Sequence, residues 1–311
     1  MEIKHIEKAI EALQTASEIS LEYYKKPLIL AYSGGKDSDV LLDLALKADI
    51  DFEVIHSITT VDAPQTNKHV NKVFESLKEV GIKTFKNIPM YKGKPINMFS
   101  LIVQMGMPPT RIARYCCKVF KETSTPNRVV ALGVRAGESR ARQNRDTFST
   151  VGATKAKTKH FNFSLSHVQE VFKDAKNQNP VWDCTIVSNA RKNKTLKVNP
   201  IYEWSNTDVW EYIRKNEIDY NPLYDCGYDR IGCIFCPLAK KSEKLKYCES
   251  FPAVKKKYIK AFDKMLERRK MLGKPNNSIW ADGKSVFRWW IEDDTIPGQL
   301  KFNIDGEIEE E

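Results

Sequence analysis

Pro27-Leu28-Ile29-Leu30-Ala31-Tyr32 runs directly into Ser33-Gly34-Gly35-Lys36-Asp37-Ser38, and that hexapeptide into Val40-Leu41-Leu42-Asp43-Leu44-Ala45-Leu46. The first apolar run reads as a buried strand, and the last as a helix packed on a sheet. Strand, glycine turn and helix start together make a cradle for phosphate. Two glycines let backbone N–H groups approach an anion without a Cβ in the way. The first helical turn adds unpaired N–H groups and the positive end of the dipole. Ser33 and Ser38 supply hydroxyls, and Lys36 supplies a mobile positive charge. No G-x-x-x-x-G-K-[ST] occurs in the chain, so this is not a Walker A loop. The plainer alternative is an ordinary Gly-Gly turn between strand and helix.

Outward from this stretch, strands alternate with helices. Residues 2–25 read as an amphipathic helix with Ile3, Ile6, Ala9, Ile10, Leu13 and Ala16 on one face. Further strands are expected at 52–58, 83–88 and 128–134, with a helix over 66–80. That alternation predicts an α/β fold: a mostly parallel twisted sheet with helices on both faces. Ligands of such sheets bind beyond the carboxyl ends of the strands. The glycine loop, Thr60-Val61-Asp62 and Gly133-Val134-Arg135 are all expected at that edge. Residues 136 to 200 are polar and poorly periodic, and read as loops, a short helix near 167–174 and part of a mobile flap. The expected organisation is an N-terminal helix over 1–26, a central domain over 27–240, and a helical, Lys- and aromatic-rich extension over 241–311 with a helix at 253–271. The end is acidic, with Glu307 and Glu309 to Glu311.

With 311 residues, 41% of them hydrophobic and 29% charged, the chain can bury a large core. No apolar run approaches the length needed to cross a bilayer, and Met1-Glu2-Ile3-Lys4-His5 lacks the apolar centre of a secretion signal. A cytoplasmic protein without a membrane partner is therefore expected. The net charge of +10 suits anionic partners such as nucleotides or nucleic acids and does not choose among them. The basic stretches Lys155–Lys159, Arg191–Lys197 and Lys240–Lys246 read first as solvated faces, with nucleic-acid contact as the alternative.

Seven cysteines without a secretion signal argue against a disulfide framework. Cys116 and Cys117 are adjacent, and Cys233-Ile234-Phe235-Cys236 is a C-x-x-C turn that points two thiolates at one ion or cluster. Four such thiolates suit a [4Fe–4S] cluster or Zn²⁺. Adjacent cysteines are unusual for zinc, which tilts the reading towards iron–sulfur. Arg114, Lys118, Lys121 and Arg230 would offset the negative charge of the site. Cys226 is a substitute ligand for Cys116 or Cys117, whereas Cys184 and Cys248 read as structural thiols. Four buried free thiols remain the bland alternative.

Ser33–Ser38 resembles the SGGxDS loop of the PP-loop ATP pyrophosphatase and adenine nucleotide α-hydrolase superfamily. Five further stretches make the chain similar to the phosphoadenosine phosphosulfate (PAPS) reductase family within it. They are Thr60-Val61-Asp62-Ala63-Pro64, Cys116-Cys117-Lys118, Gly133–Arg142, Asn199–Trp204 leading to Asp208-Val209-Trp210, and Asn221–Asp225 leading to Ile231-Gly232-Cys233. The resemblance implies an ATP-binding site in which Ser33, Gly34, Gly35, Lys36, Asp37 and Ser38 hold phosphates, with Mg²⁺ bridging them. Lys36, Asp37 and Ser38 would be the catalytic groups. Asp62 and Gly133 would belong to the nucleotide site, and Arg135 and Arg142 would clamp a second anionic group, a surface pair with Glu138 being their alternative. Cys116, Cys117, Cys233 and Cys236 match the cluster pattern of adenylyl-sulfate reductases. Trp204, Trp210 and Tyr212 read as packing.

Two departures shape the functional expectation. Sulfonucleotide reductases carry a nucleophilic cysteine in a C-terminal E-C-G-x-H segment, and no cysteine follows Cys248 here. Their loop also lacks the Lys-Asp-Ser ending that ATP users keep. An intact ATP loop with a cysteine pattern suited to a cluster resembles the C component of the Dnd DNA phosphorothioation system. The leading expectation is cleavage of ATP to AMP and pyrophosphate that activates a substrate for sulfur transfer, with a cysteine desulfurase or an electron donor as partner. One alternative is a sulfonucleotide reductase using Cys248 or Cys226, and another is a non-catalytic component that binds nucleotide and nucleic acid.

Overall fold

In a computed structural model the described residues are 3–122, 124–138, 140–143, 146–153, 158–170, 195–276 and 279–292. The chain divides into two compact units. One comprises 1–58, 64–88 and 123–231, and the other 59–63, 89–122 and 232–311.

The first unit is built on a seven-stranded sheet. Its strands are β1 (Leu28–Ala31), β2 (Phe52–Ser57), β3 (Thr84–Asn87), β4 (Val129–Ala131), β5 (Phe148–Ala153), β6 (Thr158–Phe163) and β7 (Leu196–Val198), in the spatial order β3-β2-β1-β4-β7-β5-β6. The first five positions of that order are parallel, with Leu30 opposite Val54 and Ala131, and Val130 opposite Lys197. β5 joins β7 and β6 antiparallel. The fold is α/β with a mostly parallel sheet, as expected. Leu28, Ile29 and Leu30 are buried because a central parallel strand is covered on both faces, so its sequence is continuously apolar rather than alternating. β2, nearer the edge, alternates: Phe52, Val54 and His56 are buried, and the residues between them are half-buried.

The longer helices described in this unit are α1 (Ile3–Tyr24), α2 (Lys36–Lys47), α3 (Pro64–Glu79) and, later in the chain, α5 (Asn206–Lys215). α1 buries Ala9, Ala12, Leu13, Ala16 and Ile19 against α2 and the sheet, as its periodicity predicts. α5 starts in a reciprocal cap, where Ser205 Oγ accepts from Asp208 N at 3.1 Å and Asp208 Oδ2 accepts from Ser205 N at 2.7 Å. β5, β6 and β7 correct the reading of 136 to 200 as loops. Their segments carry no long apolar run, and those of β6 and β7 include Lys159 and Lys197, yet Phe148, Leu196 and Val198 are buried in the shared core. Residues 165–170 are helical; the remainder of the expected 167–174 helix and flap, Cys184 and the acidic end lie outside the described residues.

The second unit is helical. It contains α4 (Met98–Met105), α6 (Lys241–Ser250), α7 (Pro252–Met271) and α8 (Gly283–Glu292), with a small hairpin of Met90–Tyr91 and Lys94–Pro95. Pro252 sits at the first position of α7, where its missing N–H costs nothing. α7 packs on α4 and α8 around Phe235, Tyr258, Phe262, Phe287 and Trp290, whose indole donates to Pro109 O at 2.6 Å. No described helix is long and apolar enough to cross a membrane.

The loop after β4 touches the first turn of α2 at Gly133. A Cβ there would lie 2.8 Å from the carbonyl oxygen and 3.0 Å from the carbonyl carbon of Asp37. Backbone cannot yield as a flexible side chain can. Gly133→Ala is expected to lower stability by about 1–3 kcal/mol through overpacking, read as a fall in thermal midpoint. An unchanged midpoint would mean that the loop and the helix start are not pressed together.

Candidate functional site

The glycine loop is held from four directions within the first unit. Gly34 has φ +74°, and a Cβ on it would lie 2.8 Å from Val70 Cγ2 of α3, so both conformation and space demand glycine. Asn221 Nδ2 donates to Gly34 O at 3.0 Å and stands 3.0 Å from Thr66 Oγ1. Ser38 Oγ accepts from Ser33 N at 3.3 Å and Gly35 N at 3.2 Å, and donates to Gly35 O at 2.7 Å. Tyr224 OH accepts from Lys36 N at 3.1 Å. Several loop amides therefore converge on side-chain hydroxyls in this structure, where the sequence suggested amides open to an anion.

Lys36 is not the mobile cation expected from its place in the loop. It is 4% exposed, with its ammonium 5.1 Å from the ring centre of Tyr224 and 5.9 Å from that of Trp210. Burial pushes its pKa down; Asp37, whose Oδ2 is 3.6 Å away, opposes that shift, and Arg135 and Arg230 reinforce it. Arg135, 6% exposed, donates from Nε to Asp37 Oδ1 at 2.6 Å. Two buried cations thus share one carboxylate at the start of α2. Arg142 pairs with Glu138, which also accepts from Arg135 N at 3.1 Å. Arg230, expected beside the cysteines, belongs to the first unit and acts on Lys36.

A second polar group lies in the first turn of α2. Asp39, 4% exposed, accepts from Tyr32 OH, and its Oδ1 is 3.0 Å from His69 Nε2. Burial pushes the Asp39 carboxyl up, against the hydrogen bonds from His69 and Tyr32. Its Oδ2 has no hydrogen-bond partner among the described residues.

In the second unit the structure gathers Cys116, Cys117, Cys233 and Cys236 with Lys121 and Asp62. The C-x-x-C turn is shaped by Phe235 at φ +60° and by Cys236 N donating to Cys233 O at 3.1 Å. Ile234 N donates to Val61 O at 2.9 Å, which ties the turn to the segment carrying Asp62. Asp62 Oδ2 accepts from Thr59 N at 3.2 Å. The Cys116 thiol is pushed up, first by its hydrogen bond to Cys117 and then by burial; Cys117 is pulled down by the same hydrogen bond and by Lys121 and Arg114. Burial pushes Cys233 up. The Lys121 ammonium is stabilised first by Cys233 and also by Asp62, Cys236 and Cys117. Among the described residues no group of three or more His, Cys, Asp or Glu side chains is arranged to hold a metal ion. Cys226 is exposed and belongs to the first unit.

The ordered motifs and the glycine loop match one family model, that of the phosphoadenosine phosphosulfate reductase domain, over residues 27–239. The chain belongs to that family. An uncharacterized protein of Methanocaldococcus jannaschii is 28% identical over 86% of this chain and 47% of its own length, so the chain spans about half of that relative. An adenosine 5'-phosphosulfate reductase of Lysinibacillus sphaericus is 27% identical over 70% of this chain and 76% of its own. A sulfate adenylyltransferase subunit 2 of Shewanella amazonensis is 28% identical over 73% and 69%. The relatives that this chain resembles thus carry names from both reductase and adenylyltransferase chemistry.

Sequence reading missed Tyr224, Trp210, His69 and Asp39 as parts of the loop's surroundings. Tyr224 and Asn221 were visible inside a motif, but nothing in their spacing indicated the loop as their target. Asn221→Ala would remove the amide that holds Gly34 O and contacts Thr66. An expected loss of about 1–3 kcal/mol follows from leaving buried polar groups unpaired, measured by urea unfolding. An unshifted midpoint would show that Asn221 does not hold the loop.

Proposed function

We propose that the protein is a PP-loop nucleotide α–β hydrolase, cleaving ATP to AMP and pyrophosphate to activate a substrate oxyanion for sulfur transfer. The observation that carries this reading is the pair of buried cations, Lys36 and Arg135, around Asp37 at the start of α2. Buried positive charge with one carboxylate between two cations favours an anion, and the α2 dipole adds to that field. A phosphate oxygen would replace the hydroxyls of Ser38 and Tyr224 as acceptor of the loop amides. Lys36 would then stabilise charge on the departing pyrophosphate, already oriented by the two aromatic rings beneath it. Arg135, held through Nε by Asp37, would present its remaining N–H groups to a second oxyanion. Mg²⁺, when bound, would neutralise charge across the phosphates.

The four thiols of Cys116, Cys117, Cys233 and Cys236 have the donor chemistry of a [4Fe–4S] site, and Lys121 supplies a countercharge. Such a cluster would supply sulfur or electron chemistry, with a zinc ion as the alternative occupant of the same thiols. Of the chain's own groups, Lys121 and Arg114 favour the charged form of Cys117, and Lys121 opposes the burial that pushes Cys233 up.

Pyrophosphate release from ATP is the direct test. Lys36→Ala and Ser38→Ala are each expected to lower the rate by about 10²–10³-fold, as loss of a charge-stabilising donor does. Full activity in both would remove the loop from the mechanism. For the thiols, anaerobic iron and sulfide analysis should give both elements in the wild type and a marked loss in Cys233→Ser. A protein without iron under those conditions would refute the cluster.

The 27% identity to an adenosine 5'-phosphosulfate reductase supports a second reading, reduction of a sulfonucleotide. It needs a nucleophilic thiol. Cys248 is a poor one, because burial pushes its pKa up, which leaves the exposed Cys226. Thioredoxin-dependent sulfite release that is lost in Cys226→Ser would favour this reading over ATP cleavage.

A further inference from the structure

We infer that the outer face of α7 is a binding surface for a nucleic-acid strand. α7 carries eight Lys and Arg against two acidic residues. Four of the cations, Lys256, Lys260, Lys264 and Arg268, recur every fourth residue and are exposed. Fourth residues share one helix face and advance about 6 Å per step, so the row extends roughly 18 Å along the axis. That is a ladder of charges spaced like successive phosphates on an extended strand. The neighbouring helix α8 adds Lys284 and Arg288, also exposed and four apart. α8 meets α7 closely: Gly283 N donates to Asp263 Oδ1 at 2.7 Å, which occupies one of the two carboxylates of α7.

The row carries a local electrostatic cost that its helix offsets only in part, through Glu267 three residues after Lys264. Like charges four apart destabilise a helix by about 0.2–0.5 kcal/mol per pair, and three such pairs lie in the row. Lys255, Lys256 and Lys257 also sit towards the positive end of the dipole, with no acidic residue in the first turn to offset them. Among the described residues none of the ion pairs involves Lys256, Lys260, Lys264 or Arg268. Local physics therefore works against the row, and a polyanion relieves all three repulsions at once. The opposite face of the helix explains why a strand there would matter. Tyr258 is buried on that side, donating to Ile234 O at 3.3 Å, and burial together with the thiols of Cys233, Cys116 and Cys236 pushes its pKa up. One helix thus presents cations outward and a wall of the thiol group inward, within about one helix diameter, 10–12 Å.

The experiment is fluorescence anisotropy of the full chain with a fluorescein-labelled single-stranded oligonucleotide, DNA and RNA in separate arms, over a salt series. Affinity should fall steeply with salt, with a log–log slope of about 0.7 per phosphate contact. The variant carrying K256Q, K260Q, K264Q and R268Q should have a slope smaller by about 3 and a thermal midpoint no lower than that of the wild type. A control of equal charge change, with K26Q, K68Q, K78Q and K83Q, should keep the wild-type slope. Should the quadruple variant misfold, the K256Q/K260Q pair should still reduce the slope by about 1.4. Equal slopes in variant and control would overturn the inference, as would absence of binding to either strand or binding only to vesicles of equimolar phosphatidylcholine and phosphatidylserine. The surface is independent of ATP cleavage: a chain that binds strands but releases no pyrophosphate loses the proposed activity and retains this one.

Discussion

The carboxylate of Asp37 is the contact on which the first unit's site depends. It stands one residue after Lys36, accepts from Arg135 of the loop after β4, and its backbone presses on Gly133. Removing a partner from such a buried set leaves an uncompensated charge, which costs far more than the pair is worth as a stabilising contact. The arrangement therefore specifies geometry more than it adds stability. It fixes the turn after β4 against the first turn of α2, so that two cations from distant parts of the sequence face the same helix start.

Around that carboxylate the structure spends polar groups on rigidity. Ser38 closes the loop on itself, Asn221 pins Gly34, and Tyr224 covers Lys36 N while lying under its ammonium. Asp39, His69 and Tyr32 form a second buried set in the first turn of the same helix. These contacts fix the positions of the donors around the start of α2 before any ligand is bound. The second unit follows a related logic with thiols. Adjacent cysteines acquire opposite shifts because one sulfur donates to the other, and Lys121 holds the group's countercharge.

Much of the first unit was readable because its signals are local. A fully apolar β1, glycines at a forced turn, and α1, α2 and α3 with regular apolar faces each report their own structure. The strands β5, β6 and β7 were not readable. No long apolar run marks them, and they take their order from pairing with one another and with β4. Asp62 illustrates the same limit at the site. Nothing local in its motif indicated that Thr59, Lys121 and Cys233 would be its neighbours.

The sequence by itself determined the parallel core, the glycine turn after β1 and the membership of a family, because each is encoded in short stretches of residues that neighbour one another along the chain. Only the tertiary structure decided that Lys36 is buried on two aromatic rings, that Arg135 answers Asp37, and that α7 turns its lysines outward and Tyr258 inward. Those facts depend on which side chains meet after folding. Burial and pairing change what a charge can do, and neither is a property of a residue considered alone.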